Sequence, residues 1–199
     1  MQNKIIQRAS ELFLELGFKT VTMDVIAQDM GISKKTIYSH FENKTALVEA
    51  TIHTIFSKIS QGAASIYGTG ENPIDEFFSI RDYIISTLAK QKPIARYQLQ
   101  KFYPEIYCDI QVKQLGVIMT CLKENLLRGQ ELKLYRSEVD IDFASRIYYA
   151  SMNITKDPLI FPVEQFELPY LFKQVITHFL FGICTSKGIK ILNNHLETN

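Results

Sequence analysis

Thr22-Met-Asp-Val-Ile-Ala-Gln-Asp-Met-Gly31-Ile-Ser33-Lys-Lys-Thr-Ile-Tyr-Ser-His-Phe-Glu-Asn-Lys44 is the stretch that decides the fold. Thr22 is a good helix N-cap, and the residues after it place Val25, Ile26, Ala27 and Met30 at helical spacing. Gly31 can take the left-handed backbone that ends a helix, and Ser33 two residues later can cap another. On that second helix Ile37 and Phe41 are four apart and stack on one face. Helix, tight glycine turn and short helix together make a helix-turn-helix. With Ile37 and Phe41 turned to a core, Lys34, Lys35, Thr36, Tyr38, Ser39 and His40 occupy the remaining surface. A recognition helix sets its N-terminal residues against base edges in the major groove, and that end also presents unpaired N–H groups and a positive dipole. Two lysines, hydroxyls and a tyrosine there suit phosphates and base edges, and Lys44 adds a nearby cation.

Working outward, apolar residues keep helical spacing along the chain. Ile5, Ala9, Leu12, Phe13 and Leu16 form one stripe, and Phe143, Ile147, Tyr148 and Met152 another. Strict alternation over strand lengths and hairpin Gly/Asn pairs are missing. Punctuation at Gly17, Gly31, residues 62–73 with Gly68, Gly70 and Asn72, Pro93, Pro104, Gly129, Asp140, residues 157–169 and Gly188 predicts about nine helices. Lys44 to Ser60 reads as one continuous helix. The fold class is therefore all-α: an N-terminal three-helix helix-turn-helix domain over 1–47 and a larger helical bundle over 48–199.

The chain has 199 residues, 46% apolar and 22% charged, an ordinary globular balance that argues against disorder or a rod. Net charge is +1 from 22 basic and 21 acidic residues, so bulk charge selects no partner and position must carry the signal. No apolar run reaches the roughly 18 residues of a membrane span, and Arg8, Glu11 and Glu15 interrupt any secretion-signal core, so a cytoplasmic location is expected. Cys108, Cys121 and Cys184 have neither CxxC nor CxxH spacing and read as reduced thiols. His40, His53, His178 and His195 lack metal-ligand spacing, and the chain has no GxxxxGK[ST], HExxH or GxSxG motif. Gly68-Thr69-Gly70 has no strand-turn-helix context. No catalytic residue, metal or cofactor is expected.

The pattern Ile5, Ala9, Leu12, Phe13, Gly17, Phe18, Thr20, Thr22, Ile26, Ala27, Gly31, Ile32, Ser33, Thr36, Ile37, Tyr38, His40, Phe41, Lys44 and Leu47 resembles the DNA-binding domain of TetR-family (tetracycline-repressor-like) bacterial transcriptional regulators. Gly182 to Leu192, with its Thr185-Ser186-Lys187-Gly188 turn, is similar to the way many such chains close. The resemblance implies a homodimer whose N-terminal domains bind a palindromic operator in double-stranded DNA and whose C-terminal domain binds a small-molecule effector that weakens the binding. By position it implies that Lys34, Lys35, Thr36 and Ser39 lie nearest the bases, that Thr22, Tyr38, His40 and Lys44 hold phosphates, and that Ser33 caps the recognition helix. Lys35 departs from the pattern, since many members carry a small residue or proline there.

A single helix-turn-helix reads too few bases for operator specificity, so a dimer with recognition helices about 34 Å apart is expected. Apolar faces for it are found in the last long helices: Ala144, Ile147, Tyr148 and Ser151 on one, Phe172, Val175, Ile176, Phe179 and Ile183 on the other. The similarity to the family's four-helix interface points to the same two helices. Aromatics and methionines in the middle of the chain, Phe78, Tyr83, Tyr97, Phe102, Tyr103, Tyr107, Met119 and Met152, suit an apolar effector pocket with a few polar groups. The alternative reading is a helical protein-interaction adaptor without DNA binding, which leaves the Ser33 to Lys44 arrangement unexplained.

Overall fold

The computed structural model describes residues 1–67, 72–88 and 92–198. Its helices are α1 (Gln2–Leu16), α2 (Met23–Asp29), α3 (Lys34–Tyr38), α4 (Lys44–Ile66), α5 (Pro73–Leu88), α6 (Pro93–Phe102), α7 (Pro104–Glu131), α8 (Ile141–Ile154), α9 (Leu168–Ile183) and α10 (Ser186–Thr198). The described residues contain no strand, only an isolated antiparallel bridge between Tyr135 and Cys184. Pro93 and Pro104 open helices, as a residue with fixed φ and no N–H does well. Asp140 caps α8, its carboxylate accepting from the Phe143 N–H at 3.0 Å.

The break expected within residues 62–73 separates α4, which runs through Gly62 to Ile66, from α5, which begins at Pro73. Two other expected breaks are not breaks. Gly129 lies inside α7 and Gly188 inside α10; a Cβ at Gly129 would stand 1.9 Å from the Tyr135 ring, and one at Gly188 2.3 Å from the Leu134 carbonyl oxygen. Both glycines answer a close tertiary approach rather than a turn. The Thr185 to Gly188 segment begins α10, with the Gly188 N–H donating to Thr185 Oγ1 at 3.2 Å. The Gly68-Thr69-Gly70 fragment lies outside the described residues.

The chain forms two compact units, residues 1–60 with 87–114 and residues 61–86 with 115–199. The helix-turn-helix unit thus extends past residue 47, taking in most of α4 up to Ser60, all of α6 and the start of α7. Ile5, Ala9 and Phe13 of α1, Ile26 of α2, Ile37 of α3, Leu47 and Val48 of α4 and Ala95 of α6 are buried together. Phe13 stacks on Phe18 with centroids 4.9 Å apart. The Lys92 N–H donates to the Leu14 carbonyl at 3.0 Å and the Lys19 N–H to Gln98 Oε1 at 2.7 Å, tying α6 to the end of α1.

The second unit buries Ile74, Phe77 and Phe78 of α5, Leu122 and Leu126 of α7, Ile176 and Leu180 of α9 and Leu192 of α10. Glu76, 0% exposed, sits in that apolar surrounding and is matched by groups from α7. Arg128 donates to both carboxylate oxygens, to Oε1 at 2.8 Å, and Asn125 Nδ2 donates to Oε2 at 2.9 Å. Tyr135 Oη in turn donates to Asn125 Oδ1 at 3.2 Å. A buried carboxylate survives in this way only when its charge and lone pairs are answered.

Candidate nucleic-acid interface

The helix-turn-helix is assembled by three local devices. Thr22 Oγ1 accepts from the Val25 N–H at 3.2 Å and starts α2. Gly31 takes φ +63° just past its end, a conformation costly for a residue with a Cβ. Ser33 Oγ accepts from the Thr36 N–H at 3.0 Å and shares a hydrogen with Thr36 Oγ1 at 2.8 Å, starting α3. α3 is only five residues long, yet the Phe41 N–H still donates to the Ile37 carbonyl at 3.0 Å, which keeps Phe41 on the face of Ile37. Both side chains are buried.

The opposite face is open. Lys34, Lys35, Tyr38, Ser39 and His40 are exposed and Thr36 is half-buried. The Lys35 ammonium has no hydrogen-bond or ion partner among the described residues, although its carbonyl accepts from the Ser39 N–H at 2.9 Å. Lys34 differs: its ammonium lies 2.8 Å from Asp24 Oδ2 and 6.0 Å from the centre of the Tyr38 ring, and the hydrogen bond to Asp24 raises its pKa. Ser39 Oγ donates to the Thr36 carbonyl at 2.8 Å. Thr22 is exposed although its hydroxyl already caps α2. Lys44, half-buried, donates to the Phe18 carbonyl at 2.5 Å and lies 5.9 Å from the Phe13 ring centre; burial lowers its pKa.

Two contributors to this scaffold were not read from the sequence. Arg8 of α1 donates through Nε to Asp29 of α2 at 2.5 Å and through Nη1 to Glu11 at 2.6 Å, which holds the Asp29 carboxyl below its usual range. Asn43 Oδ1 accepts from the Ala46 N–H at 2.9 Å and starts α4, a cap signalled only by its place before a helical run.

Residues 5–51 match the family model described as bacterial regulatory proteins, tetR family. The N-terminal domain is a TetR-family helix-turn-helix. Its sequence is also 35% identical over 60 residues to the biofilm operon icaADBC HTH-type negative transcriptional regulator IcaR of Staphylococcus aureus, a match covering 30% of this chain and 32% of IcaR. The chain therefore spans about a third of that relative's length in the aligned region. At the level of the fold, the regulatory protein TetR from Rhodobacter sphaeroides superposes with a TM-score of 0.72 at 15% identity, covering 91% of this chain and 97% of that one. SmeT, the repressor of the Stenotrophomonas maltophilia multidrug efflux pump SmeDEF, superposes with a TM-score of 0.69 at 16% identity, covering 94% of this chain and 91% of that one.

The residues expected to form the effector pocket belong to both units. Tyr97, Phe102, Tyr103 and Tyr107 belong to the first unit, where Tyr97 and Phe102 are exposed and Tyr103 and Tyr107 pack against the helix-turn-helix core. Phe78, Tyr83, Met119 and Met152 belong to the second, where Phe78 is buried and stacks on His195 with centroids 4.0 Å apart. The eight aromatics and methionines thus do not share one unit. On α8 and α9, Ala144, Phe172, Ile176 and Ile183 are buried within the second unit and leave little surface for another copy. Tyr148 and Phe179 close an aromatic cluster with Phe77, their rings 4.9 to 5.8 Å apart, and Ser151 and Val175 are half-buried. Ile147 is open at 47%, alongside Phe143, Ile154, Tyr170 and Phe181, which were not singled out for the interface. Among the described residues no three His, Cys, Asp or Glu side chains group as metal ligands, and no helix is long and apolar enough to cross a membrane.

Proposed function

We propose that this chain is a ligand-responsive transcriptional regulator, a repressor that binds a palindromic operator as a homodimer and leaves it when a small, largely apolar effector binds. The observation that carries the reading is the exposed face of α3, capped by Ser33 and fixed from behind by buried Ile37 and Phe41. Residues 1–47 hold the DNA, with Lys34, Lys35, Thr36 and Ser39 toward the bases and Thr22, Tyr38, His40 and Lys44 toward phosphates. Repression is favoured by the similarity of the N-terminal region to IcaR, a negative transcriptional regulator. Residues 48–199 supply the effector site and the dimer contacts, and the protein works in the cytoplasm.

The dimer surface is the outer side of α8 and α9. Phe143, Ile147 and Ile154 follow one stripe along α8, and Tyr170 and Phe181 another along α9. Apolar stripes of this kind on two packed helices are self-complementary under a two-fold axis. An effector acts by its different affinity for dimers whose recognition helices do or do not match the spacing of the groove.

Gel shift with the promoter DNA beside the gene, over a salt series, tests the reading. Binding should weaken steeply as salt rises, because neutralised phosphates release counterions. Lys44→Ala should weaken every duplex alike. Equal, salt-insensitive affinity for promoter and unrelated DNA would reject the regulator and favour a protein-interaction adaptor.

A further inference from the structure

The two lysines that open α3 stand in different states. Lys35 is exposed with no ion partner among the described residues, whereas Lys34 is bound across the turn to Asp24 of α2, Nζ to Oδ2 at 2.8 Å, with the Tyr38 ring 6.0 Å from the same ammonium. Both partners are well exposed, 49% for the Lys34 side chain and 64% for Asp24. Such pairs contribute little to stability, and the helix dipole already favours a carboxylate in the first turn of α2; what the pair adds is a neutralised ammonium on a surface that meets phosphates. A free ammonium there would attract any phosphate, adding affinity without sequence information. Resting on the DNA-binding reading above, we propose that Asp24 is a specificity-determining positioning residue. It neutralises Lys34 against indiscriminate phosphate contact and holds the ammonium beside Tyr38, so that with the carboxylate in place a remaining N–H of Lys34 meets only an acceptor that the operator sets in line with it.

The arrangement has a consequence that a purely structural pair would not have. Asp24→Asn keeps the Thr22 cap that starts α2 but sets Lys34 free. Binding to random DNA should then tighten while binding to the operator changes little, so the ratio between them falls.

The test uses the full-length protein, a duplex enriched from a random pool by the wild type, and a random duplex of equal length, at about 50 to 200 mM salt. Asp24→Asn should tighten random-duplex binding by about fivefold or more and steepen the salt slope by about 0.9 for each lysine freed, about 1.8 for a dimer. Asp24→Glu, which keeps the carboxylate, should behave as the wild type. In a Lys34→Ala background Asp24→Asn should change neither quantity by more than about twofold, because the double-mutant cycle then has no pair to break. An Asp24→Asn effect of the same size with and without Lys34 would make the aspartate a simple through-space charge and overturn the positioning role. An unchanged ratio in the single variant would overturn it as well. Matched thermal unfolding of all variants guards against misfolding. Failure of the wild type to enrich any duplex would instead remove the DNA-binding reading on which the role rests.

Discussion

Ser33 shows how much one hydroxyl can do in a short helix: it satisfies the Thr36 N–H and orients the Thr36 hydroxyl. Ser33→Ala should cost about 1 kcal/mol in urea unfolding and weaken DNA binding through loss of α3 order, and an unchanged midpoint would contradict the cap. Thr22, Gly31 and Ser33 were legible in the sequence because capping and turning are local events. The Asp24–Lys34 and Arg8–Asp29 pairs were not, since they join residues 10 and 21 positions apart whose meeting is set by the way the helices pack. The cysteines offer a second residue-scale check. Cys108 is exposed, while burial pushes the Cys184 thiol up to about 12, keeping it protonated and unreactive near neutrality. With a thiol-exchange reagent at about pH 8, Cys108 should react rapidly and Cys184 only as the protein unfolds; comparable rates would contradict the packing around the Tyr135–Cys184 bridge.

Among the helices, the α5–α7 contact concentrates the largest electrostatic stake. Removing the Arg128 guanidinium would take the bidentate cation away from the buried Glu76 carboxylate. Arg128→Met should therefore destabilise the fold by about 3 kcal/mol, the lower end for a broken buried pair because the arginine itself is partly exposed. Replacing Glu76 and Arg128 together with apolar residues should recover much of that loss. A different pair sets a pH dependence: Asp142 accepts from Arg146 at 2.7 Å and approaches Lys123 at 2.5 Å, which holds its carboxyl down at about 2 against an ordinary 3.8. The folded-state pKa is depressed, so the contribution is complete above about pH 4 and is lost as pH falls toward 2. The difference in melting temperature between the wild type and Asp142→Asn should shrink over that window, and a constant difference would contradict the pairing. Apolar periodicity was enough to find these helices, but Gly129 and Gly188 were misread as breaks. Glycine in a helix that another chain segment approaches closely looks, in one dimension, like glycine in a turn.

For the molecule as a whole, the all-helical class and the helix-turn-helix followed from pattern, and the surfaces did not. α8 and α9 are apolar around more than one face, so composition alone could not separate Ala144, Phe172 and Ile176, buried in the second unit, from Ile147, Phe143 and Phe181, which remain open. The proposed effector residues fall in both units for a related reason: an aromatic side chain suits a core as well as a pocket. Ile147→Glu with Phe181→Glu should yield a folded monomer in sedimentation that has lost operator affinity, whereas a dimer persisting in that variant would place the interface elsewhere. The most direct test of the recognition surface is a base-preference profile, comparing wild type and Lys35→Ala on every single-base variant of a duplex enriched by the wild type. Lys35→Ala should change preference at one position in each half-site by about 1–3 kcal/mol and leave the other positions in rank order. Identical profiles, or no enriched duplex at all, would contradict the assignment of the exposed α3 face to DNA.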